Sequence, residues 1–361
     1  MESENTKKHT AKTTRRSNPA IIFITGAIWV VFLVLCILLS VRLHVVNQKI
    51  DTLTAVLSQG ESSGDTESSS VFDKIDLEGF TAREAYLLGK KEMLSEIEAS
   101  FTGSTSSLSS LRPFFPDKLV ITSNNKYYFV DIDTSLAMHD YSEANLKIDS
   151  TTGEYTYVEN NTVTSQKTID VSSYQGEIDW DKVAADGVTS AFIRAVYRGY
   201  GTGKLCVDTS ADTNIQGAVE NGIFTGVYVF SQAITEAEVI EEAEAAIEAV
   251  APYSKDCAIV FDVERVAGED ARMDALSVEE RTDLAILFCE TVKAAGYKPM
   301  IYFNTEMAVL YLELDRLEEY DKWFAAYADE FYYPYAYSVW QYSESGTVDG
   351  IDTPVDMNLT F

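Results

Sequence analysis

The chain has 361 residues, enough for two or three domains, and its 57 Asp and Glu outnumber its 28 Lys and Arg for a net charge of −29. That surplus excludes nucleic acid and other polyanions as partners, because their capture rests on basic surface. Hydrophobic residues at 46% supply a sizeable core and exclude a disordered chain.

Residues 1–19 form a short basic tail, and residues 20–41, AIIFITGAIWVVFLVLCILLSV, carry no charge. About 20 apolar residues span a bilayer core, so this stretch predicts a transmembrane helix. A cleavable signal peptide fits less well, because no small-x-small site follows the apolar run. Lys7, Lys8, Lys12, Arg15 and Arg16 precede the span, whereas Arg42 and Lys49 closely follow it. The positive-inside rule then predicts a single-pass signal anchor at the cell membrane, with the N-terminus cytoplasmic and the rest extracellular.

Residues 42–71 read as a stalk. Leu43, Val46, Ile50, Leu53 and Leu57 repeat at 3-4-3-4 spacing, a seam that would give weak self-association. A helix continuing out of the bilayer explains the spacing equally well. Gln59 to Ser70, QGESSGDTESSS, is a flexible linker. Residues 72–165 predict a small α+β module: a helix over 82–99, then two hairpins turning at Ser-Asn-Asn and Thr-Thr-Gly. No catalytic constellation stands out there, and a spacer or docking module is the simplest reading.

From residue 168 onward, apolar strands alternate with amphipathic helices, which predicts a parallel sheet. Eight candidate strands in so short a span fit an irregular β/α barrel, TIM-barrel-like, of the α/β class. This region, 168–361, holds 36 acids against 12 bases, a net of −24, so the acidity belongs to it. The histidines are His9, His44 and His139, so a triad, a Cys-His pair or a His-bound metal is excluded from the barrel. Cys36, Cys206, Cys257 and Cys289 have no CxxC spacing.

Carboxylate chemistry remains. In Val260-Phe261-Asp262-Val263-Glu264 the period of two puts Asp262 and Glu264 on one face, near the end of a barrel strand. Like charges so close cannot both ionise freely, so one is raised toward the range of a general acid. Asp170 and Asp356 are also acids within apolar strands, where an unpaired charge is expensive. Four placed acids suggest glycoside hydrolysis. Tyr228, Tyr302, Trp323, Tyr327 and Trp340, with the amide of Gln341, are the candidate sugar-binding side chains.

These residues fall in a familiar order: Asp170-Val-Ser-x-x-Gln-Gly-x-Ile-Asp-Trp180, Gly226-Val-Tyr228, Phe261-Asp262-Val-Glu264, Trp323-Phe-Ala-Ala-Tyr327, Trp340-Gln341-Tyr342 and Val355-Asp356-Met-Asn358. The pattern resembles glycoside hydrolase family 25, the Chalaropsis-type lysozymes or N-acetylmuramidases, over residues 168–361. The resemblance implies cleavage of the β-1,4 bond between N-acetylmuramic acid and N-acetylglucosamine in peptidoglycan, with no metal and no cofactor. It implies Glu264 as general acid and Asp262 as its partner, steadying the substrate's N-acetyl group as internal nucleophile. Asp170 and Asp356 are then supporting acids, and Tyr228 and Trp340 shape the sugar subsites. One departure stands out: many members read Gly-x-Tyr-His-Phe where this chain reads Gly226-Val227-Tyr228-Val229-Phe230. The missing imidazole predicts an altered sugar contact, and leaves a glycan-binding scaffold without turnover as the competing reading. A hydrolase for another polymer, such as a plain N-acetylglucosamine chain, is a third.

Overall fold

The computed structural model describes Arg42 and residues 82–103, 106–266 and 271–361. The predicted membrane span and the rest of the stalk lie outside the described residues. Among the described residues no helix is long and apolar enough to cross a membrane. The chain divides into two compact units, Met1–Glu92 and Met93–Phe361. Helix α1 (Ala82–Gly103) runs through the division, and every strand among the described residues lies in the second unit.

After the short helix α2 (Ser107–Leu111) come strands β1 (Lys118–Ser123) and β2 (Lys126–Asp131), an antiparallel hairpin. Asn124 and Asn125 make its turn at φ 50° and 59°, the left-handed conformation that tight hairpins need and Asn tolerates. Strands β3 (Leu146–Ile148), β4 (Tyr155–Glu159) and β5 (Thr162–Val163) form a separate antiparallel meander.

The barrel begins with β6 (Gln166–Val171), helix α3 (Trp180–Ala185), β7 (Ser190–Arg198) and the edge strand β8 (Leu205–Val207). Helix α4 (Ala211–Glu220), β9 (Phe224–Phe230), helix α5 (Glu236–Val250) and β10 (Ala258–Asp262) follow. Then come helix α6 (Val278–Ala294), β11 (Lys298–Asn304), helix α7 (Thr305–Leu310), β12 (Asp321–Ala325), β13 (Val339–Gly346) and β14 (Val355–Thr360). The strand order is β6-β14-β13-β12-β11-β10-β9-β7-β8, and a further β6–β7 pairing closes the sheet with β8 left at the edge. From β6 through β13 the barrel neighbours pair in parallel, whereas β14 is antiparallel to both β13 and β6. The sheet is thus an irregular β/α barrel.

Side-chain alternation sorts the strands into two cores. Phe192, Val260, Met300, Tyr302, Trp323 and Val339 fill the barrel interior. Ile169, Ile193, Val229, Phe261, Ile301 and Phe324 point outward into the larger core. Helix α5 joins that core because Val239, Ala243, Ala246 and Val250 recur at helical spacing. Helix α6 starts at a capping box between Ser277 and Glu280, which satisfies orphan amides at its N-terminus.

The segment before the barrel packs directly on its wall. Tyr155 of β4 stacks on Tyr342 at 4.1 Å between ring centroids, and Tyr141 stacks on Phe361 at 3.9 Å. The Tyr332 hydroxyl donates to the Val120 carbonyl in β1 at 3.1 Å. Cys206, Cys257 and Cys289 are all free thiols.

Candidate active site

The C-terminal ends of the parallel strands open into a cleft of about 670 Å³. Asp170 comes from β6, Asp262 closes β10, and Glu264 follows two residues beyond it. Asp356 reaches the same mouth because β14 runs the other way and begins there. All four predicted acids line one cleft. Their parity is as the alternation requires: Ile259, Phe261 and Val263 turn to the outer core, Val260 and Asp262 inward.

Asp170 and Asp356 are direct partners across the antiparallel β6–β14 pair. Like charges directly opposite are unfavourable, so one proton is shared between them. Asp170 is the member with donors to hold a charge. Its Oδ2 accepts from Asn358 Nδ2 at 2.9 Å and Gln341 Nε2 at 3.0 Å, and Asp356 donates to it as well. Burial pushes Asp170 up, and these donors hold it back. Asp356 keeps the proton: burial, then the Asp170 charge beside it, push its carboxyl up to about 9.

Asp262 is buried, and its Oδ1 has no hydrogen-bond partner among the described residues. Burial, followed by the charges of Glu264 and Asp170, raises its carboxyl well above the ordinary range. Glu264 is pushed up to about 7, first by burial and then by Asp170. A carboxylic acid that still holds its proton near neutrality, on the lip of an open cleft, can protonate a leaving oxygen.

Of the predicted sugar-binding side chains, Tyr228, Tyr302, Trp323, Tyr327 and Gln341 line the cleft. Gln341 is the hub. Its Oε1 accepts from the hydroxyls of Tyr302 at 2.9 Å and Tyr327 at 3.2 Å while its amide donates to Asp170. Trp323 is almost wholly buried, stacked on Phe192 at 4.7 Å, and its Nε1 donates to Asn358 Oδ1 at 2.8 Å. Tyr327 is 55% exposed and free to meet a ligand.

Trp340 is not in the cleft, which corrects its assignment as a sugar contact. Gln341 faces inward on β13, so its neighbour must face outward. Trp340 is 1% exposed, packs edge-on against Tyr155, and its Nε1 donates to the Ala326 carbonyl at 2.9 Å. Val229 is corrected for the same reason. Tyr228 faces the cleft, so Val229 faces the outer apolar core, fully buried, and touches no sugar site.

The cleft also holds residues that the motif reading passed over. Arg194 projects inward from β7, and its Nε donates to Asp208 Oδ2 at 2.8 Å. It brings a positive charge that pulls Asp262 back toward ionisation. The signal was present in SAFIRAVYR, where Arg194 shares inward parity with Phe192. Tyr174, 78% exposed, lies over the Arg194 guanidinium at 5.0 Å and forms part of the rim. It stands inside the Asp170-Val-Ser-x-x-Gln stretch, at one of the two variable positions.

Residues 169–351 match the family model for glycosyl hydrolases family 25. An uncharacterized protein, YegX, of Escherichia coli strain K12 is 32% identical over 205 residues, which cover 53% of this chain and 68% of that protein. The autolytic lysozyme of Clostridium acetobutylicum is 27% identical over 193 residues, covering 53% of this chain and 55% of that one. Among solved structures, the modular autolysin LytC of Streptococcus pneumoniae is similar with 24% identity and a TM-score of 0.48, over 68% of this chain and 57% of its own. The extent of the family match, together with the similarity to YegX, establishes that the chain belongs to glycosyl hydrolases family 25.

Proposed function

We propose that the protein is a membrane-anchored muramidase that cleaves the β-1,4 bond between N-acetylmuramic acid and N-acetylglucosamine in peptidoglycan. The observation that carries this reading is Glu264, held up to about 7 at the mouth of a cleft that also gathers Asp262, Asp170 and Asp356. Membership of a glycoside hydrolase family and similarity to an autolytic lysozyme support it.

Glu264 protonates the departing glycosidic oxygen as the bond breaks. Asp262, with an Oδ1 that has no partner among the described residues, receives the N–H of the substrate's acetamido group and steadies that group as internal nucleophile. Asp170, fixed by Asn358 and Gln341, supplies the negative charge that stabilises positive charge developing on the sugar. Tyr228 and Tyr327 present ring faces and hydroxyls to the sugar. A binding-only scaffold drew its support from Val229, and that side chain lies in the outer core.

Incubating the protein with purified peptidoglycan beside its Glu264→Gln variant tests the reading. New reducing ends on N-acetylmuramic acid, made by the unsubstituted protein alone, are the expected result. Fragments ending on N-acetylglucosamine, or equal turnover by both proteins, would overturn it. For the anchor, residues 20–41 supply the span and the flanking basic residues the orientation. Protease added to intact cells should therefore remove the barrel, and protection of the barrel would reject that topology.

A further inference from the structure

Beside the catalytic cleft lies a second groove of about 650 Å³, and the β1–β2 hairpin builds one wall of it. Ser123, Asn124, Asn125 and Tyr127 come from the hairpin, whereas Arg265, Val266 and Glu306 come from the barrel mouth. Val266 lines both the groove and the cleft, so the two adjoin two residues beyond Glu264. Residues 118–131 lie outside the segment matched by the family model, so one wall of the groove comes from outside that segment and the other from within it.

We propose that this groove is a glycan subsite, which holds sugars of the strand beyond those in the cleft; the proposal rests on the muramidase reading. The lining chemistry selects the ligand. The exposed carboxamides of Asn124 and Asn125 match sugar hydroxyls and acetamido groups, and Tyr127, 45% exposed, offers an aromatic face. Among the described residues a charged ligand finds no free counter-charge there. Arg265 is consumed by Asp274 at 3.1 Å and Glu306 at 3.2 Å, so neither the cation nor Glu306 is unpaired. The Ser123 hydroxyl donates to the same Glu306, and this ties the hairpin to the residue adjoining Glu264. The left-handed turn at Asn124 and Asn125 places both carboxamides at the hairpin tip.

The test uses the full chain in detergent with Glu264→Gln, so that glycan binds without being cut. Peptide-free oligomers of alternating N-acetylglucosamine and N-acetylmuramic acid are titrated calorimetrically as disaccharide and octasaccharide. Replacing Asn124 and Asn125 together by Gly removes both carboxamides and preserves the turn, since glycine adopts positive φ freely. Tyr127→Ala removes the ring in a second variant. Octasaccharide should bind tighter than disaccharide by about tenfold, the worth of one or two net hydrogen bonds. Both variants should erase that difference and leave disaccharide affinity unchanged, and the unchanged disaccharide affinity also reports an intact barrel. Persistence of the octasaccharide preference in both variants overturns the subsite. Equal affinities for the two oligomers in the unsubstituted hairpin overturn it as well, and leave the muramidase reading standing. Failure to bind either oligomer removes the muramidase reading and the subsite with it.

Discussion

At the scale of single residues, the proton shared by Asp170 and Asp356 governs what the cleft tolerates. Asp356 keeps its proton up to about 9, so Asp356→Asn replaces a neutral donor with another neutral donor. Asp170 accepts from Asn358 and Gln341 at one oxygen, and Asp170→Asn keeps an oxygen there but removes the charge that strengthens both bonds and puts an N–H₂ in place of the second oxygen. Thermal melts near neutral pH should therefore show Asp356→Asn close to the parent and Asp170→Asn clearly destabilised; the reverse ranking would reject the assignment. The pH dependence follows from the same protons. Folding raises the Asp356 and Glu264 carboxyls, so the folded state binds protons that the unfolded chain has released. That contribution is complete below the unfolded carboxylate range and is lost as pH rises through about 7 for Glu264 and about 9 for Asp356. Denaturant midpoints should fall from mildly acid to alkaline pH, and Asp356→Asn should flatten the alkaline part. Hydrolysis should decline as pH passes about 7, because Glu264 then loses the proton it must donate. Glu264→Gln should cost roughly 10² to 10⁴ in rate, the range a positioned acid supplies, without lowering the melt.

At the scale of elements, strand parity decided which residues were legible in the sequence. Along β10 the alternation was uninterrupted, so Asp262 and Glu264 could be placed together before any coordinates, although β10 itself stops at Asp262. Along β13 the motif Trp340-Gln341-Tyr342 drew two adjacent residues, Trp340 and Gln341, toward one role, whereas a pleat allows only alternate ones to share a face. Trp340→Ala should therefore lower stability by about 3–5 kcal/mol, as expected for emptying a buried aromatic site, with glycan affinity unchanged in a stable background. Arg194 was legible as an inward charge in an apolar strand, yet its partner Asp208 lies on a loop that no periodicity announces. The closure of β6 on β14 was not legible either, because pairing across so much chain leaves no local trace. Gly226 shows how tightly the strands are set. A Cβ there would meet the Ala258 carbonyl oxygen of β10 at 2.3 Å. Gly226→Ala should cost about 1–3 kcal/mol through displaced backbone, visible as a lower melting temperature.

At the scale of the whole molecule, the segment before the barrel is part of the same compact unit, Met93–Phe361. Sequence reading made it a spacer because its strands are short and carry no cluster of acids. Its tyrosines carry the packing instead: Tyr141, Tyr155 and Tyr157 cover Phe361, Tyr342 and Trp340. Removing residues 93–165 should expose that aromatic wall and yield a barrel that aggregates or melts markedly lower, as judged by light scattering and calorimetry. A truncated barrel as stable as the longer chain would show those contacts to be dispensable. The concentrated negative charge of the barrel adds a further expectation. Binding to an anionic wall should strengthen as salt rises from low to physiological ionic strength, because screening relieves repulsion.

The proton-sharing pair sits on the seam where the barrel closes, and Asn358 reaches Asp170 across 188 residues of chain. Chemistry in this protein consequently waits on β14. Until β14 has been made and has slotted between β6 and β13, Asp170 lacks two of its partners and Asp356 is absent from the mouth. A chain whose β14 has not yet joined the barrel is thus a blank tool, and the first cut certifies that this strand is in place.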